Sequence, residues 1–320
     1  LSFLLYLFKT YIMKKLLYLF LTVLIVACSG EDNNNGGDNN QSSCNGDNPI
    51  YLADNGITVI AKECAEVNDV GIINGVTYTV VDEGMLREMI ANNGNVTRIV
   101  TTKVSDMSYM FDDTLFNQDI SSWDVSNVTN MNSMFRRSGF NQNISSWDVS
   151  NVTDMASIFS RGGRYGVSNF NQPIDNWDVS NVTDMSFMFE GNIYFNQDIS
   201  SWDVSSVTNM SGMFNSTKDF NQPLNDWDVS NVTDMSVMFA NLVFGAPPGS
   251  CSFNQPLNNW DVSNVTDMVA MFRDNSCFYQ DITNWNVFNV TSCSGFAGDF
   301  GIMNTNTIPV FPNCCWNCIP

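Results

Sequence analysis

The residues best placed to do chemistry in this sequence are six aspartates, each directly following a tryptophan of a repeated segment. They are Asp124, Asp148, Asp178, Asp203, Asp228 and Asp261, and Asn286 takes the seventh such position. If the repeats stack in parallel, these carboxylates form a row with a spacing of about 4.8 Å. Neighbouring charges at that distance repel by about 1 kcal/mol per pair in water. The row is therefore interpreted either as a solvated face or as a stripe that binds a basic partner or Ca²⁺.

The absence of histidine from all 320 residues narrows the catalytic options. Histidine is the commonest general base, the commonest zinc ligand and the usual partner of serine and cysteine nucleophiles. What remains is carboxylate chemistry, such as a glycosidase with two carboxyl groups about 5–10 Å apart in a pocket. We predict a non-catalytic protein with no catalytic residues, no metal centre and no cofactor, Ca²⁺ on the aspartate row being the exception left open.

The charge balance is strongly acidic, with 33 acidic and 13 basic residues and a formal charge of −20. Such a surface repels phosphate backbones, so nucleic-acid binding is not expected. Basic partners or cations suit it better. The expected ligand is a surface or extracellular protein or a glycan.

The N-terminal segment has the organisation of an export signal. Residues 1–12 precede the positive stretch Met13-Lys14-Lys15, and an apolar run over residues 16–27 leads to Cys28. This run is too short to span a bilayer, which takes about 20 residues. Ile25-Val26-Ala27-Cys28 resembles a lipobox, which predicts lipidation of Cys28, whereas a plain signal peptide with an incidental cysteine is the alternative. Residues 28–48 are predicted to be a flexible tether, and the protein to be lipid-anchored in the outer membrane and exposed at the cell surface.

The eight cysteines other than Cys28 indicate disulfides in an oxidising compartment. Cys251 and Cys277 lie just before Phe253 and Phe278, which are equivalent positions of consecutive repeats, so a Cys251–Cys277 bridge is predicted. A Cys44–Cys64 bridge is predicted to tie the N-terminal region. Cys293 is left to pair with Cys314, Cys315 or Cys318 in a cysteine-rich cap over residues 298–320.

Residues 49–95 are predicted to form a small β-rich module and an N-terminal cap. Asn55-Gly56 and Asn74-Gly75 each separate two alternating apolar and polar runs, which is the strongest short-range hairpin signal. After Asp82, Met85, Leu86, Met89 and Ile90 fall at helical spacing, and Gly94 follows as a stop.

Residues 96–297 contain a repeated unit whose tryptophans recur at intervals of 24 to 33 residues, most often 25. In the first full unit, Ile120, Trp123, Val125 and Val128 match the strand segment of a leucine-rich repeat, whereas Met131, Met134 and Phe135 suit a short helix capped by Thr129. The predicted fold is an α/β, leucine-rich-repeat-like solenoid of about seven 25-residue coils. It has a parallel sheet and short helices and follows the β-hairpin module.

The unit WDVSNVTDMxxMF resembles the repeat of the BspA-like leucine-rich-repeat surface proteins, in the 25-residue form also seen in mycoplasma lipoproteins. The resemblance covers roughly residues 96–297 and implies a cell-surface protein, adhesive in some members. The predicted function is therefore lipid-anchored binding or adhesion with an unknown ligand. A carbohydrate-binding lipoprotein, a carboxylate-based glycosidase and a structural surface-layer role are the alternatives.

Overall fold

The structure, a computed structural model, describes residues 44–163, 166, 168–242, 253–297 and 306–314. The chain separates into two compact units, Leu1–Gln41 and Ser42–Pro320, and the first lies outside the described residues. The predicted lipidation site, Cys28, lies in that first unit. Among the described residues, no helix has the length and apolar character needed to cross a membrane.

The N-terminal module begins with the two hairpins predicted at the Asn-Gly turns. Strand β1 (Ile50–Leu52) pairs antiparallel with β2 (Val59–Ala61), and β3 (Val70–Ile73) pairs antiparallel with β4 (Val76–Val80). At the second turn, Asn74 and Gly75 have φ angles of 50° and 78°. A two-residue hairpin turn with positive φ at both positions favours Asn-Gly because these residues tolerate that conformation. Both predicted hairpins are confirmed.

A helix and a fifth strand join the module to the repeats. Helix α1 (Glu83–Ala91) begins after Asp82, whose side chain accepts the Met85 N–H at 2.8 Å. Past its end, the Gly94 N–H donates to the Met89 carbonyl at 2.8 Å. Strand β5 (Ile99–Val100) then pairs in parallel with β4, so a segment within the predicted repeat range completes the module's sheet. The predicted helix is confirmed.

The module has its own small core, and it contacts the first full repeat unit. The predicted Cys44–Cys64 disulfide is present, with a Cα–Cα distance of 5.1 Å, and packs with buried residues such as Ile50, Val59 and Val80. The Val59 N–H donates to the Ser122 carbonyl at 2.9 Å. Strand β2 therefore covers the flank of the first full unit.

The repeated units lie one on the next and are joined by a ladder of single parallel bridges. Each unit contributes one residue to this ladder. Beyond each bridge, alternate N–H groups donate to the following unit, as Met131, Ser133 and Phe135 do at 2.8–3.0 Å. The bridging residues are Asp106, Asn130, Asp154, Asp184, Asn209, Asp234, Asp267 and Ser292.

The predicted sheet and short helices are not what the structure has in the described repeats. The bridge falls at Asn130, after the predicted strand segment of Ile120–Val128, and residues 131–137 form consecutive tight turns rather than a helix. Met134 N–H donates to Met131 O, and Ser133 and Arg137 have φ angles of 55°. Residues in this left-handed region end a right-handed helix, and they leave alternate N–H groups free to bond the next unit.

The interior of the stack is built from columns of identical side chains. Two phenylalanine columns run along it. In the first, from Phe111 to Phe272, the ring centroids of successive units are 5.4–5.9 Å apart. The second column begins at Phe116, and five of its six successive ring pairs stack 5.9–6.3 Å apart. The repeat methionines are buried as well, as Met131 and Met134 illustrate. They fill the core, although they do so from turns and not from helices.

The tryptophans have a polar role in addition to packing. In six of the seven units, the indole Nε1–H donates to the carbonyl of the isoleucine or leucine three residues before the tryptophan of the previous unit, and Trp123 donates to the Val96 carbonyl. The distances are 2.7–3.2 Å, and the seven tryptophans are at most 4% exposed. A buried indole N–H needs such a partner. This bond explains why the position holds tryptophan and not leucine.

The left-handed position before the second methionine gives a stability prediction. Val237 stands there with a φ angle of 51°, whereas the unit before it has Gly212. A non-glycine residue in this region costs about 1–2 kcal/mol. We expect Val237→Gly to raise the free energy of unfolding by about 1 kcal/mol, measured by urea denaturation. Val269→Gly, at a neighbouring position without positive φ, should lower the free energy of unfolding. A loss of stability in both variants would contradict the assignment of backbone strain to Val237.

Candidate binding faces of the repeats

Five of the six predicted aspartates lie exposed along one side of the stack, and we call them the tryptophan-linked row. Each carboxylate closes a local turn, because its Oδ1 accepts the backbone N–H two residues later. At Asp148, for example, Ser150 donates its N–H at 3.1 Å and its hydroxyl at 2.6 Å. The row therefore has a structural role in addition to any binding role. Its members are Asp148, Asp178, Asp203, Asp228 and Asp261.

Asp124, the sixth predicted member, does not belong to the exposed face. It is 2% exposed, and Thr102 donates its hydroxyl to Asp124 Oδ2 at 2.5 Å. Thr101 donates its hydroxyl to the Asp124 backbone carbonyl at 2.8 Å. The N-terminal module covers this position, which a repeat pattern alone does not reveal.

Serine partners stabilise the ionised form of two members of the row, Asp203 and Asp261. Hydrogen bonds from the Ser205 hydroxyl and backbone N–H hold the pKa of Asp203 below its ordinary value, and Ser263 lowers the pKa of Asp261 in the same way. Hydrogen bonds to a carboxylate favour its charged form. The local partners of these two exposed carboxylates therefore favour their charged form.

A second set of carboxylates, which the sequence reasoning missed, lies at the bridge positions. We call it the bridge row, and it consists of Asp106, Asp154, Asp184, Asp234 and Asp267. These residues are half-buried, and each accepts the N–H two residues later, as Asp184 does from Ser186 at 2.8 Å. The signal in the sequence was the aspartate or asparagine that follows the Asn-Val-Thr or Ser-Val-Thr segment in the units from Asn130 to Asp267.

Asparagine separates the charges of the bridge row. Asn130 and Asn209 interrupt it, so at most two carboxylates are direct neighbours in the described ladder, as in the Asp154–Asp184 and Asp234–Asp267 pairs. Asn209 also donates from Nδ2 to Asp184 Oδ2 at 3.2 Å. A neutral amide thus stands where a further carboxylate would meet two like charges.

This arrangement gives a second prediction. Asn209→Asp creates a run of five neighbouring carboxylates from Asp154 to Asp267 and removes the bond to Asp184. Two new like-charge pairs of about 1 kcal/mol each should lower the free energy of unfolding by about 2 kcal/mol at low salt. The loss should shrink with added salt, which screens the pairs.

Asp234→Asn serves as the matched control for that measurement by chemical denaturation. It keeps an oxygen to accept the Ser236 N–H and removes one carboxylate of the Asp234–Asp267 pair, so it should be neutral or stabilising. Equal stability of Asn209→Asp and the unchanged chain at low salt would show that the row is fully solvated.

Neither row is gathered into a compact cation cage in the part of the chain that the structure describes. There, no three or more His, Cys, Asp or Glu side chains form a group that could hold a metal ion. Both rows are linear, with one carboxylate from each unit. The expectation of Ca²⁺ on Asp148, Asp178 and their equivalents therefore stays a prediction.

A cluster of opposite charges joins the turn that contains Asp112 to the turn of the next unit, which contains Arg136 and Arg137. Arg136 contacts Asp112 with two bonds, Nε–Oδ1 at 3.0 Å and Nη2–Oδ2 at 2.6 Å, and Arg137 adds a third at 3.2 Å. Burial raises the pKa of Asp112, but the bonds and charges of the two arginines outweigh it and leave the pKa below its ordinary value. Arg136 also lies over the Tyr109 ring, 5.4 Å from the centroid. This cluster ties adjacent units together.

Of the remaining cysteines, Cys277, Cys293 and Cys314 belong to the described residues, whereas Cys251, Cys315 and Cys318 lie outside them. Cys293 pairs with Cys314, one of the three partners left open, with a Cα–Cα distance of 6.1 Å. This bond holds residues 306–314 against the last unit, where Ile308 and Phe311 are buried. Cys277 is disulfide-bonded, but Cys251 lies outside the described residues, so the Cys251–Cys277 pairing stays a prediction.

The exposed aromatic residues do not line up along one side of the described stack. Tyr109 and Phe187 share one position in units that are not adjacent. Tyr194, Tyr279 and Phe288 occupy three other positions. The tryptophans, which do recur in every unit, are buried.

Comparison with known proteins gives a family for the repeats. No curated protein and no solved structure matches the chain. The model of a family described as "Mycoplasma protein of unknown function, DUF285" matches three successive segments, residues 82–166, 164–245 and 248–306. These segments span the ladder of bridges and most of the chain. The chain therefore belongs to this family and is a tandem-repeat protein of the mycoplasma type.

Proposed function

We propose that this protein is a lipid-anchored cell-surface protein whose stacked units form a non-catalytic solenoid for binding or adhesion. The observation that carries the proposal is the exposed tryptophan-linked row. It repeats one charged, exposed group at the same position of consecutive units. The tryptophan, methionine and phenylalanine side chains that also recur are buried in the core. Such a face can engage a partner at several units at once, and multiple weak contacts add up to strong attachment.

The chemistry of the row favours a basic partner, in line with the net charge of −20. The five carboxylates are exposed and sit on rigid turns, so binding does not have to order them first. Charge complementarity of this kind raises association rates and is weakened by salt. A surface or extracellular protein with a basic patch is therefore the ligand class that we propose first.

A carbohydrate ligand is the second candidate, and it has less support. Sugar-binding surfaces stack ring faces on exposed aromatic side chains, and the exposed aromatics here are scattered. The polar, asparagine-rich exterior is what favours a glycan. A carboxylate-based glycosidase is the third candidate function. A structural surface-layer role would differ from adhesion only in the partner that is bound.

The test neutralises the tryptophan-linked row without removing its turn-closing oxygens. Asp→Asn at positions 148, 178, 203, 228 and 261 keeps the acceptor for each N–H and removes five charges. Binding of the purified chain to immobilised polylysine should fall strongly, and binding of the unchanged chain should weaken as salt rises. The matched control carries five Asp→Asn changes at exposed positions elsewhere, 119, 198, 219, 226 and 281. Equal losses in both variants would mean that net charge, and not this row, attracts the partner.

Anchoring has its own prediction. Cys28→Ala should move the protein from the membrane fraction to the soluble fraction, because a lipid on Cys28 is the proposed attachment. Fractionation followed by immunodetection measures it, and Cys277→Ala serves as a control that leaves the proposed anchor intact. Retention of Cys28→Ala in membranes would indicate a different anchor.

A further inference from the structure

A cavity of about 380 Å³ opens at the N-terminal end of the second phenylalanine column, and we call it the end pocket. It lies between the end of α1 and Phe116, with Leu115 at its rim. Leu115 is 85% exposed, and Phe116 is only half-buried, whereas the later rings of its column are at most 5% exposed. The pocket therefore exposes the first ring of a column that is otherwise closed.

The register of the chain shows which side chain is missing below Phe116. Trp123 donates to the Val96 carbonyl, as Trp147 donates to the Ile120 carbonyl, so Val96 is the equivalent of Ile120. Four residues before Ile120 stands Phe116, and four residues before Val96 stands Asn92. The level below the first full unit thus has an asparagine in place of the aromatic ring.

A hydrogen-bond acceptor is missing at the same level. In six later units, the N–H after the column phenylalanine donates to the asparagine Oδ1 of the unit before, at 2.8–3.1 Å. Asn117 has the equivalent N–H, but in the described part of the chain it has no such acceptor. The residue one level below is Asn93, whose φ of 52° sets it apart from the later asparagines of this position.

We infer that the end pocket binds an aromatic side chain of a partner polypeptide that is followed by an asparagine or aspartate. The ring stacks on Phe116 and extends the second phenylalanine column by one member, and the neighbouring side-chain oxygen accepts the Asn117 N–H. The partner chemistry follows from the column itself, since a phenylalanine and an asparagine satisfy these two groups at later levels. The inference rests on the proposed function, because it names a partner contact of a surface-binding protein.

The test is a binding measurement between the full chain in detergent and a labelled peptide. The probe is an acetylated Phe-Asn-Gln peptide with a C-terminal fluorophore, and its Ala-Asn-Gln form is the matched peptide control. Fluorescence anisotropy should show roughly 10- to 100-fold weaker binding for the alanine form, which is the effect of burying one phenylalanine ring. A Phe-Leu-Gln peptide should also bind more weakly, since it offers no acceptor to Asn117.

Two changes in the protein locate the site. Leu115→Glu places a charge at the rim, and Ile90→Trp fills part of the pocket from the end of α1, so both should abolish the preference for the phenylalanine peptide. Val310→Glu, at a residue that is 88% exposed and outside the pocket, should leave it unchanged. Equal binding of the phenylalanine and alanine peptides, or full binding by Leu115→Glu and Ile90→Trp, would overturn the inference. The polylysine measurement reports on the proposed function separately, so the two can fail independently.

Discussion

Replacing Trp202 with alanine should lower the free energy of unfolding by about 3–5 kcal/mol, the cost of truncating a buried aromatic residue. The side chain is 4% exposed, and its indole Nε1–H donates to the Ile174 carbonyl at 2.9 Å. The truncation therefore leaves a cavity and a buried carbonyl without its partner. Urea denaturation followed by circular dichroism measures the change.

Two further variants separate packing from hydrogen bonding. Trp202→Phe retains an aromatic ring and removes the donor, so it should lose a smaller part of the stability, about 1–3 kcal/mol. Phe288→Ala removes an aromatic residue that is 65% exposed and should change little. If Trp202→Ala unfolds at the same urea concentration as the unchanged chain, the tryptophans do not hold the stack together.

The second large effect is expected at the disulfide of the N-terminal module. Cys44 and Cys64 are separated by 20 residues, and closing a loop of that size contributes about 3 kcal/mol. Cys44→Ser combined with Cys64→Ser should therefore loosen the module, whose own core is small. Faster amide hydrogen exchange at Val59 and Val80 measures this loosening.

The opposite end of the chain provides the control. Cys293→Ser combined with Cys314→Ser removes a bond of similar sequence separation, 21 residues, and should accelerate exchange around Phe296 and leave the module protected. If the change at Cys44 and Cys64 accelerates exchange throughout the repeats, the module and the stack unfold as one unit. Unchanged exchange at Val59 would mean that the pairing of β2 with β1 and its bond to the Ser122 carbonyl hold β2 without the disulfide.

The sequence by itself determined the features that depend on neighbouring residues or on strict repetition. The Asn-Gly pairs predicted both hairpins, and at Asn74-Gly75 both residues have the positive φ that few other residue pairs adopt in succession. The Asp82 cap and the Gly94 stop predicted helix α1. The recurrence of tryptophan, valine, methionine and phenylalanine predicted which positions are inward, since burial of apolar surface repeats with the unit. The Cys44–Cys64 bond was predicted from the cysteine count, once Cys28 was taken as the lipidation site and Cys251 was assigned to Cys277.

The tertiary structure decided what depends on contacts between units. Met131 and Phe135 have helical spacing, but hydrogen bonds to the next unit replace those within a helix, and the left-handed Ser133 makes this exchange possible. Asp124 is identical in sequence context to its exposed equivalents, yet it is buried and bonded to Thr101 and Thr102. The bridge row and the end pocket likewise arise where one level of the stack meets another. A local pattern specifies the direction of a side chain, but only the packed neighbour specifies what that side chain meets.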